Sequence, residues 1–371
     1  MTESILAGLA AATAIWFIGA WYLRGADLRA FDRPRSDVPA GLWQSFSTGD
    51  HPNDEHRAVI ESLSGVTAIL GNTPRARQLP VLRDYLDTMF ADRRLDARFV
   101  AVDAGGVRAE WVLAPGADPA TRTLYIHGGA YTMGSPASHR IITSRFSEMT
   151  GGAVLAVDYR RMPENPRMAG IADCRTAYRW ILESGPDGPA PASVLFVAGD
   201  SAGGNLTLSL LAWGRDQGLR APDAAVALAP QTDATFGSPS LKGNLATDAM
   251  LGPMFRTLSR FPRSLLLWAT CLRIRKRPCD PVISPVFGDL SNLPPLLIHA
   301  SEVEMLRDDS VRYFNKARLA GSPVKLQTWN HVVHVWHMFY PELTEARDAF
   351  EEIRKFLAAR TPRLHGDSPA A

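Results

Sequence analysis

The sequence predicts an α/β fold: a mostly parallel central sheet with helices on both faces. Two observations carry that expectation. Short apolar, β-branched runs recur at TLYI (123–126), AVLAV (153–157), SVLFV (193–197), AVAL (225–228), PLLI (295–298) and VKLQ (324–327), and helical patterns separate them. Runs that are apolar almost throughout, instead of alternating, mark strands covered on both faces, and strands alternating with helices mark parallel pairing. The second observation is composition. With 371 residues, 46% hydrophobic and 21% charged, the chain suits one large folded domain that carries an insertion or cap. In such sheets, sites form on the loops at the carboxyl ends of the strands.

The first element is the uncharged stretch from Ser4 to Leu23. Its length, about twenty residues, matches what a helix needs to cross a bilayer's hydrocarbon core. Trp16, Trp21 and Tyr22 gather toward one end, where aromatic rings favour a membrane interface. A cleaved secretion signal fits poorly, because MTES brings an acid where a signal carries Lys or Arg, and no convincing cleavage site follows. Residues 1–24 are therefore expected to be a membrane anchor. The rival is an apolar cap helix packed on a soluble cytoplasmic protein. Arg24, Arg29, Arg33 and Arg35 follow the stretch and Glu3 precedes it, which by the positive-inside rule leaves the rest of the chain facing the cytoplasm.

Residues 25–95 look like N-terminal cap helices, helical from about 40 and broken by the turn GNTP at 71–74. The main domain is expected over 96–361. It opens on a β-hairpin, since RFVAV (98–102) and VRAEWVL (107–113) alternate with period two across DAGG at 103–106. From about 232 to 290 the strand–helix rhythm breaks into a Met-, Phe-, Leu- and Trp-rich stretch, expected to be a helical cap insertion. Residues 362–371 are expected to be a disordered tail.

Charge and cysteines narrow the function. A net charge of +2 with scattered arginines does not point to nucleic acid. The dense cluster Arg273, Arg275, Lys276 and Arg277 reads as a solvated helix end or loop. Cys174, Cys271 and Cys279 show no C-x-x-C spacing and no nearby histidine set, so incidental thiols are expected, with no metal and no cofactor.

The chemistry lies in three segments. GDSAG at 199–203 follows the strand VLFVA and opens the helical pattern NLTLSLL. A nucleophile elbow needs that context, because its tight turn strains the serine backbone and leaves room only for small neighbours. HGGA at 127–130 directly follows a strand end. Consecutive glycines let the main chain aim N–H groups at an oxygen that becomes negative during acyl transfer. Gly129, Ala130 and Ala202 are the expected donors of this oxyanion hole, with Gly128 shaping the turn and His127 holding the loop. The third segment is an acid and a base in the chain order serine, acid, histidine. Residues 329–337 offer His331, His334 and His337, and residues 301–309 offer several carboxylates, among them Glu302 and Glu304. Spacing does not choose among them.

From about residue 98 to 340 the chain resembles the hormone-sensitive-lipase-like group of α/β-hydrolases, which includes bacterial esterases and arylacetamide deacetylases. The motifs that carry the resemblance are HGGA (127–130), DYRRMPENP (158–166), GDSAGG (199–204), DPVISP (280–285), EMLRDD (304–309) and HVWH (334–337). The resemblance implies an α/β-hydrolase fold and a serine hydrolase of small to medium carboxylic esters, with Ser201 as nucleophile, His334 as base and Glu304 as acid. Two departures stand out. The acid, usually aspartate in this group, is glutamate here with Glu302 close by. DYRRMPENP also differs from the usual DYRLAPEHP, a segment that is mainly structural. The same machinery in this group serves lactone hydrolysis and deacetylation. A catalytically silent ligand-binding protein, like the plant gibberellin receptors of the same group, is a further alternative, but those lack the histidine.

Overall fold

A computed structural model describes residues 2–32 and 38–360 of the chain. Arg33 and Arg35 of the charge argument, and the expected tail 362–371, lie outside the described residues. The chain begins with α1 (Thr2–Arg24), followed by the short strand β1 (Trp43–Phe46) and the helices α2 (Asp54–Ser62), α3 (Ser64–Asn72) and α4 (Arg75–Thr88). Next come β2 (Arg98–Asp103), β3 (Arg108–Leu113), β4 (Asp118–Ile126), α5 (Arg140–Thr150), β5 (Gly152–Val157) and α6 (Arg167–Glu183). A two-stranded ribbon, β6 (Ser184–Gly185) and β7 (Gly188–Pro189), leads to β8 (Val194–Asp200), α7 (Ser201–Asp216) and β9 (Ala224–Leu228). Three short helices, α8 (Ser240–Gly243), α9 (Leu251–Phe255) and α10 (Arg263–Ile274), precede β10 (Leu296–Ser301), α11 (Arg307–Leu319), β11 (Val324–Trp329) and α12 (Thr344–Ala358).

The main sheet runs β1-β11-β10-β9-β8-β4-β5-β3-β2. All its pairs are parallel except β3 with β5 and β2 with β3. Alternate residues of each central strand feed separate cores. Leu155, Val157, Leu195 and Val197 face Ile171, Leu206, Leu210 and Phe314 on α6, α7 and α11. Val154, Ala156, Phe196 and Ala198 face Ile142, Phe146, Phe350 and Ile353 on α5 and α12. That two-sided burial is why these strands read as apolar runs. Each fully buried Leu, Ile or Phe contributes roughly 1.5–3 kcal/mol.

One expectation needs correction. Residues 43–46 are a strand, not helix, and pair in parallel with β11 from Trp43–Leu326 to Phe46–Trp329. The segment WQSF is too short and too polar to show a period; it becomes a strand because the β11 edge offers a ladder of unpaired groups. Helix α1, read as either an anchor or a cap helix, contributes nothing to the walls of the pocket described below. Its last turns pack on α10 through Ala20, Leu23 and Leu267, while Leu6, Leu9, Ile15, Phe17 and Ile18 are exposed. It is long and apolar enough to cross a membrane. The GNTP turn at 71–74 does separate α3 from α4, and the stretch 232–290 contains only short helices.

Candidate active site

The centre lies where β8 turns into α7. Ser201, the first residue of α7, has a φ of 52°, in the left-handed region that costs a non-glycine residue about 1–3 kcal/mol. The neighbours must be glycine: a Cβ on Gly203 would come within 1.9 Å of the Ile126 carbonyl oxygen, and one on Gly199 within 2.6 Å of the same atom. The turn therefore holds the Ser201 hydroxyl out from the strand end.

Two loops meet that hydroxyl. His334, in the loop after β11, places Nε2 at 2.8 Å from Ser201 Oγ. Its Nδ1 lies 2.5 Å from Oε2 of Glu304, in the loop after β10. The other Glu304 oxygen accepts the Ser301 N–H at 2.8 Å, so both lone-pair faces are committed. Glu304 is fully buried and His334 nearly so. Burial opposes the imidazolium, but the hydrogen bond and charge of Glu304 outweigh it and raise the His334 pKa above its usual value. Burial likewise pushes the Glu304 carboxyl upward, against its bond to His334.

The other carboxylates and histidines are occupied elsewhere. Glu302 accepts a hydrogen bond from Arg307 Nε at 2.6 Å. His331 lies by the Gly49 carbonyl, with Nε2 at 3.3 Å. His337 is buried against Trp336 and 3.1 Å from His299, and desolvation drives its pKa well below the usual value.

The HGGA loop packs against the same centre. Gly129 and Ala130 line the pocket beside Ser201 and His334. Both have positive φ, 109° and 52°, and a Cβ on Gly129 would meet the Met133 carbonyl oxygen at 2.3 Å. The Gly128 N–H is already used: it donates to Asp200 Oδ1 at 3.1 Å, which leaves that residue to shape the turn. His127 donates from Nδ1 to the Gly128 carbonyl at 2.7 Å and stacks on Tyr159 at 4.3 Å. Burial lowers its pKa to about 3, so it is a neutral brace at working pH. Tyr159 and Arg161 of the DYRRMPENP segment bond the His127 and Gly134 carbonyls, in keeping with a structural role.

Several supporting residues were not singled out from the sequence. Asp200, just before the serine, gathers Tyr125 Oη at 2.7 Å, the Gly128 N–H and His139 Nε2 at 3.3 Å. Burial opposes its charge, but His139 and Tyr125 hold its pKa below the ordinary carboxylate value. Its place inside GDSAG was the available signal. Asn244 donates to the Glu302 and Glu304 carbonyls at 3.0 and 2.9 Å, and Asp248 accepts the Met305 N–H at 2.8 Å. The stretch between β9 and β10 thus grips the loop that carries Glu304, and nothing local in the sequence marks that contact.

A cavity of about 110 Å³ opens onto Ser201. Its walls are almost wholly apolar, with Leu63 between α2 and α3, Val66 from α3, Leu82 and Leu86 from α4, Met250, Leu251 and Met254 at α9, and Met338 and Phe339 beyond His334. Among the described residues, no strongly polar side chain lines it except those at the serine end.

A family model for the α/β-hydrolase fold matches residues 123–338. An acetyl-hydrolase of Streptomyces hygroscopicus is 38% identical over 260 residues, covering 70% of this chain and 82% of its own. A carboxylesterase/phospholipase of Mycobacterium tuberculosis is 34% identical over 262 residues, covering 68% and 67%. Among solved structures, an esterase from the bacterial hormone-sensitive lipase family superposes with a TM-score of 0.72 at 32% identity, over 84% of this chain and 99% of that one. Motifs, sheet order and relatives agree: this chain belongs to the hormone-sensitive-lipase-like group of the α/β-hydrolase fold family.

Proposed function

We propose that this chain hydrolyses carboxylic esters of small to medium size through an acyl-enzyme on Ser201. The continuous hydrogen-bond chain from Ser201 through His334 to Glu304, at the floor of an apolar pocket, carries the proposal. Ser201 Oγ attacks the ester carbonyl as its proton passes to His334 Nε2. Glu304 holds the Nδ1–H tautomer and stabilises the imidazolium that forms. The carbonyl oxygen takes up the negative charge facing the N–H groups of Gly129, Ala130 and Ala202. Collapse breaks the C–O bond, and the alkoxide leaves as an alcohol with the proton from His334. Water, deprotonated by His334, then attacks the acyl carbon and releases the acid and Ser201.

The apolar walls suit a hydrocarbon acyl group and offer no counter-charge for an acidic one. Esters, lactones and acetyl amides all present the same carbonyl to this centre. Purified protein should turn over p-nitrophenyl esters of short and medium chains, and a fluorophosphonate should label wild type but not Ser201→Ala. An unlabelled wild type would sink the proposal and favour a silent ligand-binding role. The α1 helix anchors the protein to a membrane in this proposal, with the catalytic domain on the cytoplasmic face. Its length, its apolar composition and its largely exposed surface support the anchor.

A further inference from the structure

Helix α10 packs on the last turns of α1, and that contact fixes how an anchored protein must sit. The contact starts at Trp16, whose ring centroid lies 5.7 Å from that of Trp268 and whose carbonyl accepts the Trp268 Nε1–H at 3.3 Å. It continues through Ala20 and Leu23, buried against Leu267. Residues 2–15 of α1 lie before it, about 21 Å of helix at 1.5 Å per residue. A hydrocarbon core is about 30 Å thick. A span that uses the full length of α1 therefore brings α10 down to the bilayer surface, and so does an α1 that lies flat in the interface.

The exposed face of α10 fits that position. Leu265 and Leu272 are seven residues apart and so share one helical face, with exposed Ala269 between them. Leu265 is 39% exposed and Leu272 is 73% exposed, and Phe261, in the extended segment just before α10, is 48% exposed. Arg273, Arg275 and Arg277, all exposed, follow at the end of this face. Arg277 lies over the Tyr22 ring of α1 at 4.5 Å, which sets the basic turn beside the anchor. An apolar strip that ends in a basic cluster next to an anchor is the pattern of an interfacial helix.

We propose that α10 is an interfacial docking helix: Phe261, Leu265 and Leu272 enter the headgroup–acyl boundary, and Arg273, Arg275 and Arg277 pair with anionic lipid headgroups. This inference rests on the anchoring proposed above. The full-length chain carrying Cys271→Ser and Leu272→Cys is labelled with an environment-sensitive fluorophore. It is then mixed with phosphatidylcholine vesicles, with and without phosphatidylglycerol.

The label should shift to the blue on vesicles containing phosphatidylglycerol, while the same label at Val100→Cys on the edge strand β2 should not. Arg273→Gln with Arg275→Gln should weaken binding to the anionic vesicles by roughly 10- to 30-fold and leave neutral vesicles little affected. A chain that floats with vesicles while its Leu272 label stays water-like would overturn the docking and leave the anchor standing. A chain that does not float would overturn both. A label already blue-shifted without vesicles, on a particle of twice the mass, would assign this face to a second copy of the chain and overturn the docking.

Discussion

Replacing Glu304 with glutamine tests the most contested residue of the site. The carboxylate has two acceptors in use, Oε2 toward His334 Nδ1 at 2.5 Å and Oε1 toward the Ser301 N–H at 2.8 Å. Glutamine has one acceptor and one donor. If its NH2 faces His334, the imidazole must take the other tautomer and presents a proton, not a lone pair, to Ser201. If its oxygen faces His334, the NH2 confronts the Ser301 N–H in a fully buried place, at a cost of about 1–3 kcal/mol. In either orientation the negative charge that steadies the imidazolium is gone. The wrong tautomer alone costs triads roughly four orders of magnitude in kcat, or about 5.5 kcal/mol. Removing the carboxylate also removes the main group that raises the His334 pKa. Activity needs neutral His334, so the acid limb of the pH profile should lie above the usual histidine value in the wild type and move to lower pH in the variant. The assay is kcat against pH on p-nitrophenyl butyrate, with Glu302→Gln in parallel. Glu302 pairs with Arg307 and should be nearly silent. If Glu302→Gln proved the more damaging, or if Glu304→Gln kept its activity and its pH limb, the assignment would fail.

Other outcomes follow from the same geometry. Ser201→Ala should lower ester turnover by roughly six orders of magnitude at unchanged melting temperature, measured by initial rates and thermal scans. His334→Ala should be nearly as damaging, whereas His331→Ala should keep most of the activity; His337→Ala, in a packed aromatic core, should show its effect in melting temperature. Asp309 is buried beside Asp233, and burial first and that charge second push its pKa up to about 7. Its folded form therefore binds a proton more tightly than its unfolded form, so stability should decline as pH rises from about 4 to about 7. Denaturant melts should show that slope flattened in Asp309→Asn. Deleting residues 2–15 should leave turnover near normal, because α1 does not line the pocket, and should move the protein from the membrane pellet to the supernatant on ultracentrifugation.

The strands of the sheet centre were legible because both their faces are buried, which leaves apolar runs such as AVLAV at 153–157 with no polar interruption. Edge strand β1 was not, because Gln44 and Ser45 are exposed and only Trp43 is fully buried. The elbow was legible for a steric reason: Gly199 and Gly203 abut the Ile126 carbonyl, so the glycines are visible as letters. The choice of base was not legible from spacing. The loop from Asn330 to Val335 is irregular, with His331 and Val335 at positive φ, so no period tells which of its histidines points inward. Only the resemblance separated His334 from its neighbours.

The supports of the acid were hidden for a different reason. Asn244 and Asp248 lie about sixty residues before Glu304 in the chain, yet they hold the two ends of the peptide bond that follows it, the Glu304 carbonyl and the Met305 N–H. Asp248 also accepts the N–H groups of Met250 and Leu251, which begin the α9 wall of the pocket. One buried carboxylate therefore ties the substrate wall to the loop that orients His334. Interiors packed to crystal-like density transmit displacement through such ties with little slack. In this architecture the stretch between β9 and β10 does two jobs at once. It supplies a wall of the cavity beside Ser201, and it holds the loop that carries Glu304.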